Sequence, residues 1–111
     1  MTLDSTLGTI DGTVNGDSPT IGSQTWTNNS SSLLTVNANI AFRNGSSRDL
    51  TLVPGAGGIV VNGQITGGNG SADVILGSAV DAATDAVQLT GNNTYNSGTV
   101  VRGGTATLSG T

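Results

Sequence analysis

The sequence predicts an all-β chain wound as a parallel β-solenoid (β-helix) of about five coils, and three observations carry that expectation. Short alternations of apolar and polar residues recur along the chain, while the 3.6-residue spacing of an amphipathic helix is almost absent. Clusters such as Asn44-Gly45-Ser46-Ser47, Pro54-Gly55-Ala56-Gly57-Gly58, Gly67-Gly68-Asn69-Gly70 and Arg102-Gly103-Gly104 punctuate these runs with turn-forming residues. The only aromatic side chains are Trp26, Phe42 and Tyr95. A face-to-face sandwich needs bulky residues to fill a core about 10 Å thick. A solenoid coil is narrower and is filled by stacked Val, Ile, Leu, Ala and Thr, with small residues at its corners. Coils of roughly 20 to 25 residues divide the 111 residues into about five, a stack roughly 24 Å tall at a strand spacing of about 4.8 Å.

Taken in order, Leu3, Leu7, Ile10, Val14 and Ile21 give the N-terminal segment enough apolar positions to form a coil. Gln24 to Asn29 follows, with Trp26 read as a cap or core filler in preference to a ligand platform. The clearest strand pattern runs from Leu34 to Phe42: Leu34, Val36, Ala38, Ile40 and Phe42 share one face, and Thr35, Asn37 and Asn39 share the other. Shorter versions recur at Leu50 to Leu52, Ile59 to Val61, Val74 to Leu76, Val87 to Leu89, Thr99 to Val101 and Thr105 to Leu108. The segment from Asp73 to Ala86 is the exception, because Ala79 to Ala86 has no alternation. It reads as a coil carrying an extruded loop or one helical turn over residues 77–86. The expected interior is Leu34, Val36, Ile40, Leu52, Ile59, Val61, Val74, Leu76, Leu89, Val101 and Leu108, within a single segment spanning residues 1–111.

Composition narrows the chemistry. The chain contains no His, Cys, Lys or Glu, so it lacks the usual general base, the thiolate nucleophile, the Schiff-base amine and every common zinc ligand except Asp. With a net charge of −4 and only Arg43, Arg48 and Arg102 as cationic side chains, it can neutralise few phosphates, which argues against nucleic acid and anionic membranes as partners. No stretch approaches the roughly 18 to 20 apolar residues of a membrane-spanning helix. The start, Met1-Thr2-Leu3-Asp4-Ser5-Thr6, has no signal-peptide pattern, so the chain as given is expected to be soluble, and the export signal that an extracellular location needs is not in it. Charged residues are only 9% of the chain, and Gly, Thr, Ser and Asn dominate it. This composition resembles that of bacterial surface proteins.

Residues 87–108 are more specific. The run Val87-Gln88-Leu89-Thr90-Gly91-Asn92-Asn93-Thr94-Tyr95-Asn96-Ser97-Gly98-Thr99-Val100-Val101-Arg102-Gly103-Gly104-Thr105-Ala106-Thr107-Leu108 resembles the autotransporter-associated β-strand repeat. That repeat has the pattern Leu-x-Gly-x-Asn-Thr-Tyr-x-x-Gly-Thr-x-Val-x-x-Gly-Thr-Leu; Ala106 stands where the family usually has Leu, and Ser97 where it usually has a second Gly after Tyr. A looser likeness extends upstream through Gln24 to Asn29 and Leu33 to Val36. The resemblance implies a right-handed parallel β-helix, and a passenger-type fragment of a bacterial surface protein. It also implies a polar corner at Asn93, Thr94 and Tyr95, turn conformations at Gly98 and Gly103, and inward positions for Val101 and Leu108.

Several motifs invite sharper readings. Gly67-Gly68-Asn69-Gly70-Ser71-Ala72-Asp73 approximates a calcium β-roll repeat, but Asp73 falls one residue late and a single copy cannot build the two-sided cage. A glycine-rich corner is the expectation there. Asp81 and Asp85, with Asp73, form the acidic set that a polysaccharide-acting or glycan-binding β-helix would use; no sugar-stacking aromatic accompanies them, and a solvated loop is expected instead. Thr25-Trp26-Thr27 and Thr105-Ala106-Thr107 carry the Thr-x-Thr pattern of ice-binding solenoids but lie far apart, so threonine's strand preference accounts for them. Asn-x-Ser/Thr triplets at Asn28, Asn29, Asn44, Asn69 and Asn92 are expected by chance in so Asn-, Ser- and Thr-rich a chain. A better use for asparagine is a ladder along the stack, for which Asn28, Asn29, Asn92 and Asn93 are the candidates.

The sequence therefore predicts a structural or adhesive segment, extracellular or on a bacterial cell surface, with no catalytic residues, cofactor or metal. The alternative is the polysaccharide-acting or glycan-binding β-helix. No capping element is evident at either end, so the chain is expected to associate with itself end to end, into filaments, or to have both ends occupied by neighbouring repeats in its parent.

Overall fold

Apolar runs of two to five residues are too short to satisfy their own backbone groups, so each N–H and C=O in them must find a partner on another strand. In the computed structural model, every strand pairing among the described residues is parallel. The structure describes residues 2–3, 9–10, 13–15, 24–42, 49–67, 73–96 and 98–109. In chain order the strands are β1 (Thr2–Leu3), β2 (Thr9–Ile10), β3 (Thr13–Asn15), β4 (Gln24–Asn28), β5 (Leu34–Val36), β6 (Asn39–Phe42) and β7 (Leu50–Val53). They continue with β8 (Ile59–Val61), β9 (Ile65–Gly67), β10 (Asp73–Leu76), β11 (Ala86–Leu89), β12 (Thr94–Tyr95), β13 (Gly98–Val101) and β14 (Thr105–Leu108). No helix occurs among the described residues.

Every third strand returns to the same sheet. The first sheet has the order β1-β4-β7-β10-β13, the second β2-β5-β8-β11-β14 and the third β3-β6-β9-β12. This all-β, all-parallel arrangement is compatible with a β-solenoid. Parallel pairing without slips stacks equivalent residues into columns. Trp26, Leu52 and Leu76 share one register in the first sheet. Leu34, Ile59 and Val87 share one in the second, as do Val36, Val61 and Leu89. Ile40 and Ile65 are partners in the third. All of these side chains are essentially inaccessible and belong to one core.

The run from Leu34 to Phe42 is not one strand. It breaks into β5 and β6 at Asn37-Ala38, yet the facing it predicts holds: Val36, Ala38 and Ile40 are buried and Asn37 and Asn39 exposed. The corner is tight because it is stacked on its neighbours. A Cβ on Gly63 would stand 1.8 Å from the Ala38 carbonyl oxygen, and one on Gly91 would stand 2.2 Å from that of Gly63. These distances are far inside van der Waals contact. Small residues at this corner let the two strands on either side approach the core at their own angles.

Three other expectations are corrected. Val101 and Leu108 are 53% and 54% exposed; they are in register with buried Leu76 and Leu89, but they sit on the last strand of their sheets and nothing among the described residues covers them. The connection after β10, expected as a loop or one helical turn, is a loop of turns over residues 77–85, with Ala86 already in β11. Thr94 and Tyr95 form β12 rather than a corner. Gly98 lies in β13, and it is Gly104, at φ 71°, rather than Gly103 that takes the left-handed conformation. At the N-terminus, Leu3, Ile10 and Val14 fall on strands, while Leu7 and Ile21 lie outside the described residues.

The corner column yields a stability prediction. Gly63→Ala should destabilise the fold by about 3 kcal/mol, because the new methyl meets a backbone carbonyl that cannot move without shifting its own strand. Gln88→Ala, at an exposed position of β11, should change stability by less than about 0.5 kcal/mol. Denaturant unfolding of both variants measures the contrast, and equal stability would mean that the corner is not closed.

Candidate functional site

The acidic residues were the sharpest chemical candidates, and the structure uses them as local staples. Ser78 to Asp85 forms two turns in tandem. The Asp81 N–H donates to the Ser78 carbonyl at 3.1 Å while the Ser78 N–H donates to Asp81 Oδ2. The same pair of bonds recurs four residues later: Asp85 N–H to the Ala82 carbonyl at 2.9 Å, and Ala82 N–H to Asp85 Oδ2 at 2.9 Å. Aspartate suits both positions because its short carboxylate reaches back to a nearby N–H. The loop is then clamped to β14, whose Thr105 donates its N–H to the Asp85 carbonyl at 2.8 Å and its hydroxyl to the Ala83 carbonyl at 2.6 Å.

Asp73 is not part of that arrangement. It opens β10, and its N–H donates to Asp49 Oδ1 at 3.0 Å. Among the described residues no group of three or more acidic, His or Cys side chains is placed to hold a metal. Of the calcium-like glycine motif, only Gly67 and Asp73 lie within the described residues.

Nor are the threonine pairs brought together. Thr25 and Thr27 are on β4 in the first sheet, Thr105 and Thr107 on β14 in the second. Trp26 is core filler, 1% exposed.

Asparagine does work along the stack, but mostly at other positions than those expected. Asn62 Nδ2 donates to Asn37 Oδ1 at 2.9 Å, and the Thr90 hydroxyl donates to Asn62 Oδ1 at 2.7 Å. This polar ladder runs beside the corner glycines. A second device recurs at strand starts, where a side-chain oxygen accepts the N–H of the register-equivalent residue on a neighbouring strand of the same sheet. Asn39 Oδ1 takes the Gln64 N–H at 2.8 Å, Asn93 Oδ1 the Ile65 N–H at 2.8 Å and Asp49 Oδ1 the Asp73 N–H. Asn28 is buried and serves a different corner. Its Nδ2 donates to the Ser32 and Gly58 carbonyls at 2.9 and 2.8 Å, and its Oδ1 accepts the Ser30 N–H at 3.0 Å. Asn29 and Asn92 are exposed.

The ladder carried a sequence signal. Ile10-Asp11-Gly12, Val36-Asn37-Ala38, Val61-Asn62-Gly63, Leu89-Thr90-Gly91 and Leu108-Ser109-Gly110 each join an apolar, a short polar and a small residue. The structure puts Ile10, Val36, Val61, Leu89 and Leu108 in one register column.

Among the described residues, β12, β13 and β14 form an edge that no further described strand covers. Each is the last strand of its sheet. The Arg102, Ser109 and Asn96 N–H groups donate down to the Leu76, Leu89 and Gly67 carbonyls. In a parallel strand successive residues address opposite neighbours, so the backbones of Tyr95, Thr99, Val101, Ala106 and Leu108 face the open side. Val101 and Leu108 present apolar side chains there, and Tyr95 and Ala106 pack partly against the core. This edge, both apolar and rich in open hydrogen-bonding groups, is the candidate site. Searches against family models, curated proteins and solved structures find nothing that matches the chain.

The staple role of the loop acids is testable apart from the edge. Asp81→Asn keeps an acceptor oxygen and should be nearly neutral, whereas Asp81→Ala strands the Ser78 N–H and should cost about 1 kcal/mol. Asp85 should behave alike. Unfolding measurements on the four variants check this; loss of a polysaccharide-cleaving activity in the Asn variants would instead make these residues catalytic.

Proposed function

We propose that the chain is a right-handed parallel β-solenoid segment of about five coils. In this reading it is a structural or adhesive element that extends or presents a bacterial surface, with no catalytic activity, and that joins further solenoid through its open edges. The observation that carries the reading is the edge itself. Val101 and Leu108 continue buried columns, yet each is about half exposed. Covering them needs another layer with the same cross-section, supplied by a second copy or by adjoining sequence in a longer parent. Five copies of the corner motif support the coil count. The bacterial-surface setting and the handedness rest on the likeness of Val87 to Leu108 to the autotransporter-associated repeat.

Parallel stacks have two edges of opposite polarity, so a head-to-tail contact repeats without closing. A net charge of −4 opposes such contacts weakly. The isolated chain should therefore elongate with rising concentration, as read by light scattering and electron microscopy, and 1 M salt should change this little. Val101→Arg with Leu108→Arg should leave only monomers across the same range, since two charges would have to be buried at the junction. A wild-type chain that stays monomeric at millimolar concentration would overturn the self-association.

A further inference from the structure

We infer that Asn62-Gly63 is a latent modification site, a pair that cyclises and deamidates when its corner opens and that the closed corner holds unreactive. Glycine has no Cβ to shield its backbone nitrogen, so that nitrogen can attack the side-chain amide of the asparagine before it. Hydroxide takes the Gly63 N–H proton, the nitrogen bonds to Asn62 Cγ, and Nδ2 takes a proton from water and leaves as ammonia. Water then opens the resulting succinimide. Addition at Cγ leaves aspartate; addition at the main-chain carbonyl carbon leaves isoaspartate, whose backbone runs through the side chain and is longer by a methylene. Of the three stacked corners, Asn37-Ala38, Asn62-Gly63 and Thr90-Gly91, only the middle one carries such a pair.

Exclusion of water does not protect the pair, because Asn62 is exposed. Geometry does. The Asn62 and Gly63 N–H groups both donate to the Val36 carbonyl, at 2.8 and 3.4 Å, so the attacking nitrogen is tied to a neighbouring layer. The carbon it must reach is tied from both sides: Asn62 Nδ2 donates to Asn37 Oδ1 at 2.9 Å, and Asn62 Oδ1 accepts the Thr90 hydroxyl at 2.7 Å. Cγ cannot swing onto the Gly63 nitrogen until both bonds break. Rotation of the backbone is blocked as well, since the Ala38 carbonyl lies against Gly63 and the Gly63 carbonyl against Gly91. Reaction therefore requires the corner to part from both adjoining layers, and its rate follows the population of that locally opened state. The product resists closing again. Aspartate at position 62 has no side-chain N–H for Asn37 Oδ1 and adds a negative charge to the ladder. Isoaspartate lengthens a corner that has no room even for a methyl on Gly63, between strands β8 and β9 whose register is fixed on both sides. Deamidation at this position is thus a one-way record of corner opening.

Peptide mapping by mass spectrometry of the full chain, incubated at mildly alkaline pH, tests the inference. Asn62 should deamidate at least about 100-fold more slowly in the folded chain than in the same chain dissolved in guanidinium chloride. Thr90→Val combined with Asn37→Ala removes both side-chain bonds and leaves Val36, Ala38 and Gly91 in place. This variant should raise the folded-state rate about 10-fold, while its denaturant unfolding curve shows that it remains folded. The isoaspartate form, isolated after reaction in denaturant, should unfold at lower denaturant than the parent chain or fail to refold. Equal rates in the folded and unfolded chain would overturn the protection. So would a double variant that reacts no faster than wild type, or one whose faster reaction is fully accounted for by its loss of global stability. An isoaspartate form as stable as the parent would overturn the one-way record.

Discussion

In-register parallel hydrogen bonding is the constraint on which the rest of this structure depends. Because each strand pairs with the third one before it and the third one after it, a residue is packed chiefly against its own counterparts, and every position becomes a column that must be compatible with itself. Apolar columns are simple to satisfy: Trp26, Leu52 and Leu76 differ in shape but all bury hydrocarbon in one register. Backbone corners are harder. Where Ala38, Gly63 and Gly91 stack, each carbonyl occupies the space a neighbour's side chain would need, so the corner admits small residues only.

Polar columns solve a different problem. Corner residues leave the regular ladder, and their neighbours' backbone N–H groups lose strand partners. Short amides and carboxylates fill those gaps from the next layer, as Asn39, Asn93 and Asp49 do, and the Asn37–Asn62–Thr90 ladder adds side-chain bonds along the axis. The abundance of Asn, Thr and Gly thus has a structural cause that needs no ligand. The loop aspartates follow the same economy, since Asp81 and Asp85 fold a connection with two identical turns.

The class of fold was legible because alternation survives wherever a strand has one wet face. Leu34 to Ile40 shows both the strength and the limit of that signal. The buried and exposed residues fall as alternation predicts, yet the chain turns at Asn37-Ala38 in the middle of the pattern, because a tight corner can preserve the in-out order. The corner becomes visible only when Val36-Asn37-Ala38 is laid beside Val61-Asn62-Gly63, and loops of unequal length hide that alignment. The exposure of Val101 and Leu108 was not legible for another reason. Facing is a local property, but coverage depends on which layer comes next. The Asp81–Asp85 spacing was likewise ambiguous, since a carboxylate four residues from another serves a turn as readily as a reaction.

The same repetition that makes the core also leaves its last described strands uncovered on one side. Sheet proteins blunt free edges with lysine, proline, bulges or a covering element. This chain has no lysine at all, and its two prolines, Pro19 and Pro54, are not in β12, β13 or β14. Arg102, just past β13, is the one charged residue in or directly following β12, β13 or β14 among the described residues, and Asp73 lies on the covered side of β13 as the partner of Gly98. Arg102 follows a strand whose last residue, Val101, is apolar and half exposed. An edge with so little to deter pairing fits the proposal that the segment is continued by a further layer: the features that would protect an isolated sheet stack from its neighbours would equally prevent such a layer from docking.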